Sequence, residues 1–391
     1  MKYWRGYLVA AIFAVFTGAI TAFAKANATL IDMIYPYVTR IFVSYLSDWT
    51  AGASFCLWQL LVLLLIAAVV ASIILMILLK WNPVQWLGWI LAAASCLSFL
   101  HTGVYGLNYY AGSIADDIRL EVTDYTVSEL NAATVYYMEQ ANRLAQEINR
   151  DENGDVKFLS FEELAQQAGE GFTSLTYDRS YPIFSGSSKP VKKLSWSQMY
   201  LDMGITGVTV NLTGEAAVNP QIPDIALPFT MCHEMAHRMS IATESDANMA
   251  AFLACSANSS AEFQYSAYFM AFRYCYNALD ANTTSTAQAC INQIDTKVNK
   301  YLLQDMESYD AFYNKHIKED ASTLANSAND AYLKASGDEA GTASYTNVTN
   351  LLVSWYVQEL VIPQYTEDEE DIFDPLDPNQ VDLTGIVNAG A

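Results

Sequence analysis

Three long apolar stretches dominate the N-terminal part of the sequence, at residues 7–24, 55–79 and 86–107. A helix needs about 20 consecutive apolar residues to cross a bilayer, so each stretch predicts a membrane-spanning helix. The pattern therefore predicts a membrane anchor over residues 1–107 that is embedded in a lipid bilayer. The first stretch has an alternative interpretation as a cleaved signal peptide, because residues 22–24 read Ala-Phe-Ala, which resembles a small-x-small cleavage site.

Positive charge gives the expected orientation of this anchor. Lys2 and Arg5 precede the first stretch, and Lys80 lies in the tight connection between the second and the third. Since Lys and Arg are retained on the cytoplasmic side, we expect the N-terminus and this connection inside and the chain beyond residue 107 outside. The predicted localisation is a multi-pass protein of the cell membrane with an extracytoplasmic C-terminal domain.

Beyond the anchor, the apolar residues follow the three- and four-residue spacing of amphipathic helices. A helix pair is predicted over residues 108–159, further helices over 284–334 and a final apolar helix over 347–362. Over residues 205–212, Thr, Val and Leu alternate in a segment bounded by glycines, a pattern typical of a short strand. The predicted fold is mainly α, with N-terminal transmembrane helices followed by one helical domain, residues 108–362, that contains a small β edge element.

Composition and charge narrow the classes of function. Hydrophobic residues make up 52% of the 391 residues and charged residues 16%, and the formal net charge is −22. Nucleic-acid binding requires Lys/Arg clusters that neutralise phosphates, so we expect no nucleic-acid partner. The acidic, proline-bearing residues 363–391 predict a disordered tail. Six cysteines do not make a disulfide scaffold in a chain of this length, and a pair between Cys275 and Cys290 is left open.

A His-Glu-x-x-His motif, formed by His233, Glu234 and His237, lies in an apolar helical background. Residues four apart share one face of a helix, so both imidazoles can bind one metal ion, while Glu234 projects beside them to reach a water. The chain has four histidines, and two of them fall at this spacing. The motif therefore predicts a zinc centre.

A second helix is predicted to complete this centre. Thr243 has the character of an N-cap, with Asp246 as its reciprocal partner, and the first helix is expected to end near Ser240. Glu244, at the start of the second helix, can turn back as the third ligand, and Asn248, one turn later, can support a ligand from behind. The alternative for Glu244 is an acidic first-turn residue favoured by the helix dipole.

Other polar and aromatic residues are weaker candidates. Tyr265 and Tyr268 lie in an aromatic-rich helix and are candidates for donating a hydrogen bond to a tetrahedral intermediate. Glu215 and Asn219 are expected either to line the cleft or to be exposed in a turn. His101, near the outer end of the third apolar stretch, is expected to be structural rather than part of an intramembrane site.

The run from His233 to Cys255 resembles the signature of a bacterial membrane family filed as a domain of unknown function, number 3810, and is more distantly similar to the gluzincin metallopeptidases. The resemblance to that membrane family extends over residues 1–360 and includes four further blocks: Gly106–Tyr110, Gly204–Val208, Thr213–Asn219 and Leu227–Thr230.

This resemblance implies a zincin-like catalytic domain in which His233, His237 and Glu244 bind Zn²⁺ and Glu234 is the catalytic acid and base. The function that we expect is a membrane-anchored zinc metallopeptidase that hydrolyses a peptide or protein substrate with a metal-activated water. One alternative is a catalytically inactive zincin-fold protein that binds peptide or a cell-envelope ligand, although a binding module has no need of Glu234. The other is a structural metalloprotein, which the mixed ligand set disfavours because structural zinc sites prefer four Cys/His ligands.

Overall fold

The structure, a computed structural model, describes residues 2–336 and 347–361. The predicted tail, residues 363–391, lies outside the described residues. Within them the fold is mainly α, as predicted, and its helices are α1 (Arg5–Ala26), α2 (Ala28–Thr50), α3 (Leu57–Leu78), α4 (Pro83–Val104), α5 (Ile114–Asp117), α6 (Val127–Leu144), α7 (Phe161–Gln167), α8 (Glu170–Tyr177), α9 (Ser197–Asp202), α10 (Leu227–Arg238), α11 (Glu244–Ser256), α12 (Ala261–Asp280), α13 (Ser285–Asp295), α14 (Lys300–His316), α15 (Glu319–Ser336) and α16 (Val348–Tyr356).

Three of these helices, α1, α3 and α4, are long and apolar enough to cross a membrane, which confirms the three predicted apolar helices. α1 packs along α4. At their crossing a Cβ added to Gly6 would lie 2.4 Å from the carbonyl carbon of Gly88. Small residues let membrane helices approach in this way, so the glycine pair allows the tight α1–α4 contact.

α2 is not among the elements that the sequence pattern predicts. It follows α1 after Asn27 and contains Pro36. One of its faces packs on the helical domain, where a Cβ on Gly214 would lie 2.3 Å from the backbone nitrogen of Ser47. The Thr39 hydroxyl lies 2.9 Å from the hydroxyl of Ser240. α2 therefore joins the anchor to the domain.

The core of the domain lies among α6, α10, α11 and α12, which pack on one another. α6 starts at a capping box in which Thr126 and Glu129 satisfy each other's backbone N–H groups. This capping box fixes the start of α6 at Val127. The predicted helix pair over residues 108–159 is therefore wrong in detail, because α6 covers only residues 127–144 of that range. Residues just before α6 instead bond to α16, since the Thr123 N–H donates to the hydroxyl of Ser354.

A small sheet lies beside α10 and consists, among the described residues, of β1 (Lys192–Lys193), β2 (Gly207–Val210) and β3 (Glu215–Val218). β3 is central, parallel to β1 and antiparallel to β2, with Val208 opposite Ala217. β3 is buried and packs on α10. β2 is at an edge of the sheet, within the region predicted to form a short strand.

Candidate functional site

The site is built by α10, a tight turn and α11. Pro228 lies in the first turn of α10, where its missing N–H costs no hydrogen bond. α10 ends at Arg238, close to the predicted end, and Ser240 then adopts a left-handed conformation with φ of 72°. The Thr243 hydroxyl accepts the N–H of Asp246 and caps α11 as predicted. The Asp246 carboxylate accepts a hydrogen bond from Ser113. The turn reverses the direction of the chain, so that α11 starts beside α10.

Three predicted ligands meet at this junction. The Nε2 atoms of His233 and His237 lie 3.1 Å apart. The Oε2 atom of Glu244 lies 3.2 Å from Nε2 of His233 and 3.6 Å from Nε2 of His237. One donor atom from each residue falls within 4.8 Å of the others, so these three side chains could hold a metal ion.

Hydrogen bonds orient both imidazole rings. Nδ1 of His233 lies 2.9 Å from Oδ1 of Asn248, and Nδ1 of His237 lies 2.9 Å from the carbonyl oxygen of Ile241. Both oxygens can only accept, so each Nδ1 carries a hydrogen and Nε2 is the ring nitrogen left to bind a metal ion. Asn248 thus has the supporting position predicted for it.

Glu234 lies beside the three ligands and is 5% exposed. Its Oε2 atom and its carbonyl oxygen lie 2.7 Å and 2.8 Å from the hydroxyl of Thr209 on β2. Gly207 leaves the room for its carboxylate, because a Cβ there would lie 2.4 Å from Oε1 of Glu234. Burial raises the pKa of Glu234, against the opposing effect of His233 and His237.

The electrostatic field of the cluster favours added positive charge. Burial would raise the pKa of Glu244, but His237 and His233 outweigh it and hold that pKa well below its usual range. Burial likewise opposes the charge on His237, yet the carboxylates of Glu244 and Glu234 raise its pKa to about 9. Two carboxylates against two imidazoles therefore form a centre that attracts a cation.

A cavity of about 660 Å³ opens over the cluster. The lining includes all of β2, together with some residues of α10, α11 and α15. The cavity lining also carries an aromatic group that the sequence did not predict, with members His101, Tyr105, Tyr109, Tyr274, Tyr309, Tyr313 and Tyr332. We call this group the tyrosine wall.

The tyrosine wall joins the anchor to the domain. Nε2 of His101, in the last turn of α4, lies 2.9 Å from the hydroxyl of Tyr332 on α15. The rings of Tyr109 and Tyr332 meet edge to face at 6.2 Å. Burial raises the pKa of both tyrosines, so both keep their protons and remain hydrogen-bond donors.

Tyr105 links the end of α4 directly to a predicted ligand. Its hydroxyl donates to the carbonyl oxygen of Ile241 over 3.2 Å, and the same oxygen accepts from Nδ1 of His237. Burial raises the pKa of Tyr105 well above its usual value. Because one acceptor serves both groups, the orientation of His237 is coupled to the anchor.

The two tyrosines predicted from the sequence lie elsewhere, and neither is among the described residues that line the cavity. Tyr265 is fully buried, and its hydroxyl bonds to Asp305. Tyr268 packs in an aromatic cluster, with its ring 5.9 Å from that of Phe252 and 6.2 Å from that of Tyr136. Both face the core because α12 packs against α6 and α11 on that side, so we correct this assignment.

Glu215 and Asn219 have structural positions instead of either predicted one. The carboxylate of Glu215 accepts the backbone N–H groups of Leu57 and Trp58 over 2.7 Å and 2.9 Å and pairs with Lys192 at 2.7 Å. It therefore caps α3, the second membrane helix. Asn219 is buried and donates to the carbonyl of Ser197. All six cysteines, which are in the described part of the chain, are free, including Cys275 and Cys290.

Comparisons with known proteins give one match. The family described as Protein of unknown function (DUF3810) matches residues 32–353, a range that contains the sheet, α10, α11, the whole tyrosine wall and all but the first four residues of α2. Searches of curated proteins and of solved structures find no match. The matched range covers most of the chain, and the protein therefore belongs to the DUF3810 family.

Proposed function

We propose that this protein is a membrane-anchored zinc metallopeptidase. The observation that carries the proposal is the convergence of Nε2 of His233, Nε2 of His237 and Oε2 of Glu244 beside the buried carboxylate of Glu234. Two imidazoles and one carboxylate are a ligand set that catalytic zinc sites use, with a further position left for water or substrate.

The donor atoms fit a small tetrahedral ion. Ligand atoms placed about 2 Å from a common zinc lie roughly 3 to 3.5 Å from one another, and the separations among His233, His237 and Glu244 are 3.1 Å, 3.2 Å and 3.6 Å. Zinc, when bound, would supply the Lewis acidity that lowers the pKa of a water and polarises a peptide carbonyl.

Glu234 would move the proton. Thr209 and Gly207 hold its carboxylate beside the ligands, where it accepts a proton from water as the water oxygen attacks the peptide carbon. Glu234 then donates that proton to the leaving amine as the carbon–nitrogen bond breaks. Protonated hydroxyls on the tyrosine wall can donate hydrogen bonds to the oxygen that becomes negative in this step.

β2 would align the substrate. Its second edge is free of sheet partners among the described residues and lines the cavity. An extended peptide can add to such an edge through backbone hydrogen bonds. This placement brings a peptide bond past Glu234, because Thr209 of the same strand contacts that carboxylate.

The proposed location of the domain is extracytoplasmic. Lys2 precedes α1, Arg5 is its first residue, and Lys80 lies between α3 and α4. This distribution of positive charge supports three spans with the domain outside. The tight contact of α1 with α4 at Gly6 and Gly88 supports retention of α1 as a span over its removal as a signal peptide. Reporter fusions after residue 110 are expected to give an extracytoplasmic signal.

The test compares full-length wild type with Glu234→Gln and with Glu307→Gln, an exposed position on α14 that serves as a matched control. Each protein is incubated with a diverse peptide library, with and without a chelator, and cleavage is scored by mass spectrometry. We expect wild type and Glu307→Gln to cleave, and Glu234→Gln to lose roughly 10²- to 10⁴-fold in turnover with unchanged zinc content. Chelator-resistant cleavage, or equal rates in Glu234→Gln, would contradict the mechanism. Zinc binding without cleavage would favour the inactive binding protein.

A further inference from the structure

α2 exposes a long apolar stripe. Nine large apolar side chains recur at three- and four-residue spacing along one side of this helix, and their exposed fractions range from 42% at Ile41 to 76% at Trp49. The members are Leu30, Met33, Ile34, Tyr37, Val38, Ile41, Phe42, Tyr45 and Trp49. We call this set the α2 stripe. Soluble surfaces rarely leave so continuous an apolar band in water.

The opposite side of α2 is fixed to the domain from the middle of the helix to its C-terminal end. Thr39 bonds to Ser240 at 2.9 Å, Ser47 accepts the hydroxyl of Ser187 at 3.0 Å, and Thr50 donates to the carbonyl of Thr213 at 3.2 Å. A helix held to a polar domain at its middle and at its C-terminal end cannot cross the bilayer. The α2 stripe can therefore contact lipid only if α2 lies parallel to the membrane surface.

Both ends of α2 are tied to the membrane surface. α1 ends at Ala26, one residue before α2, and α3 begins at Leu57, shortly after α2 ends at Thr50. Because α2 connects them without crossing the bilayer, these two span ends lie on the same face of the membrane. A helix of this length reaches about 35 Å at 1.5 Å per residue, so with both ends tethered it can lie along the surface.

We propose that α2 is an in-plane membrane helix whose stripe enters the boundary between lipid headgroups and acyl chains and seats the domain on the bilayer. Tyr37, Tyr45 and Trp49 fit this depth, because Tyr and Trp concentrate at membrane interfaces. A net charge of −22 gives the protein no overall attraction to anionic headgroups, so apolar burial supplies the affinity. Asp48 is a charged, exposed residue on the same side of α2, next to Trp49, and its carboxylate lies 3.7 Å from Nζ of Lys189.

This placement has a consequence for the cavity. The helix that enters the membrane surface also bonds to Ser240, the residue that turns α10 toward α11. The same cavity includes His101 in the last turn of α4. The cavity therefore opens close to the bilayer surface, where it meets polypeptide segments that are held near lipid.

The test measures depth and requires no enzymatic activity. Full-length protein with Cys96→Ala and Cys290→Ala, the two cysteines that are not buried, receives one spin label at Met33→Cys or Val38→Cys and is placed in phosphatidylcholine vesicles. Collisions with oxygen and with a water-soluble nickel chelate report the depth of each label. Ile66→Cys on α3 serves as the membrane-core control and Ser285→Cys on α13 as the aqueous control.

Labels at Met33 and Val38 are expected about 5–10 Å below the headgroup boundary, shallower than Ile66 and unlike Ser285. Accessibility equal to that of Ser285 would overturn the proposal, because the stripe would then face water. Depth equal to that of Ile66 would also overturn it by making α2 a further span. Dipolar broadening between labels, which disappears when labelled protein is diluted with unlabelled protein, would assign the stripe to a second copy of the chain and would likewise overturn it.

Discussion

The two walls of the cavity are specified in different ways by the sequence. The ligand wall, His233, Glu234, His237 and Glu244, falls within twelve residues and needs only a helix, a turn and a second helix to assemble. The tyrosine wall depends on contacts such as that of His101 with Tyr332, which are 231 residues apart in sequence. The arrangement of a local motif can therefore be interpreted from helix geometry, whereas the position of the tyrosine wall can be known only from the whole fold.

A large loss of turnover is expected when the contact between β2 and the ligand wall is changed. Gly207→Ala places a Cβ against the carboxylate of Glu234 and should displace it. A displacement of about 1 Å costs roughly 100-fold in turnover, while zinc content stays at the wild-type level. Gly52→Ala is the matched control, because a Cβ there meets nothing within 4 Å. Wild-type turnover in Gly207→Ala would show that the position of Glu234 is not limiting.

The tyrosine wall is tested by Tyr332→Phe, which removes one hydroxyl and its contact with His101. If this wall stabilises the developing negative charge, turnover should fall about 100-fold, the lower range for loss of such a donor, with zinc affinity unchanged. Tyr177→Phe, at a side chain that is 77% exposed, provides the control. A loss of zinc together with turnover would instead make the wall part of the metal site.

A smaller effect is expected at the turn between α10 and α11. Ser240→Ala removes the hydroxyl contact with Thr39 and should lower the free energy of unfolding by about 1 kcal/mol. Ser240→Gly loses the same contact but removes the left-handed strain of a non-glycine residue, which is worth about 1 to 2 kcal/mol, so its stability should equal or exceed that of wild type. Thermal unfolding in detergent micelles measures both variants, and equal losses would show that backbone strain at Ser240 is negligible.

The sequence predicted what short-range periodicity determines. The three apolar helices follow from segment length, and the position of Glu244 follows from the cap at Thr243, since both depend on neighbours in the chain. α2 was not predicted, although its exposed apolar residues recur at three- and four-residue spacing. It contains Pro36, a residue that usually ends or kinks a helix.

The wrong assignments of Tyr265 and Glu215 have a related cause. Periodicity places Tyr265 on a helix, but it does not distinguish a core-facing side from a cleft-facing one. Glu215 could not be assigned from sequence either, because its partners are the N–H groups at the start of α3, more than 150 positions earlier in the chain. In both cases the packing of distant elements decides what the side chain contacts.

If His233, His237 and Glu244 hold one zinc ion, the metal content of the purified protein depends on these three side chains. Full-length wild type, Glu244→Ala, His233→Ala and the control His316→Ala, a histidine at the end of α14, would be purified identically and analysed by elemental mass spectrometry. We expect about one zinc per chain in wild type and in His316→Ala, as for a mononuclear site, and loss of most of it in Glu244→Ala and His233→Ala. Wild type without zinc, or full zinc retention in both ligand variants, would contradict the claim.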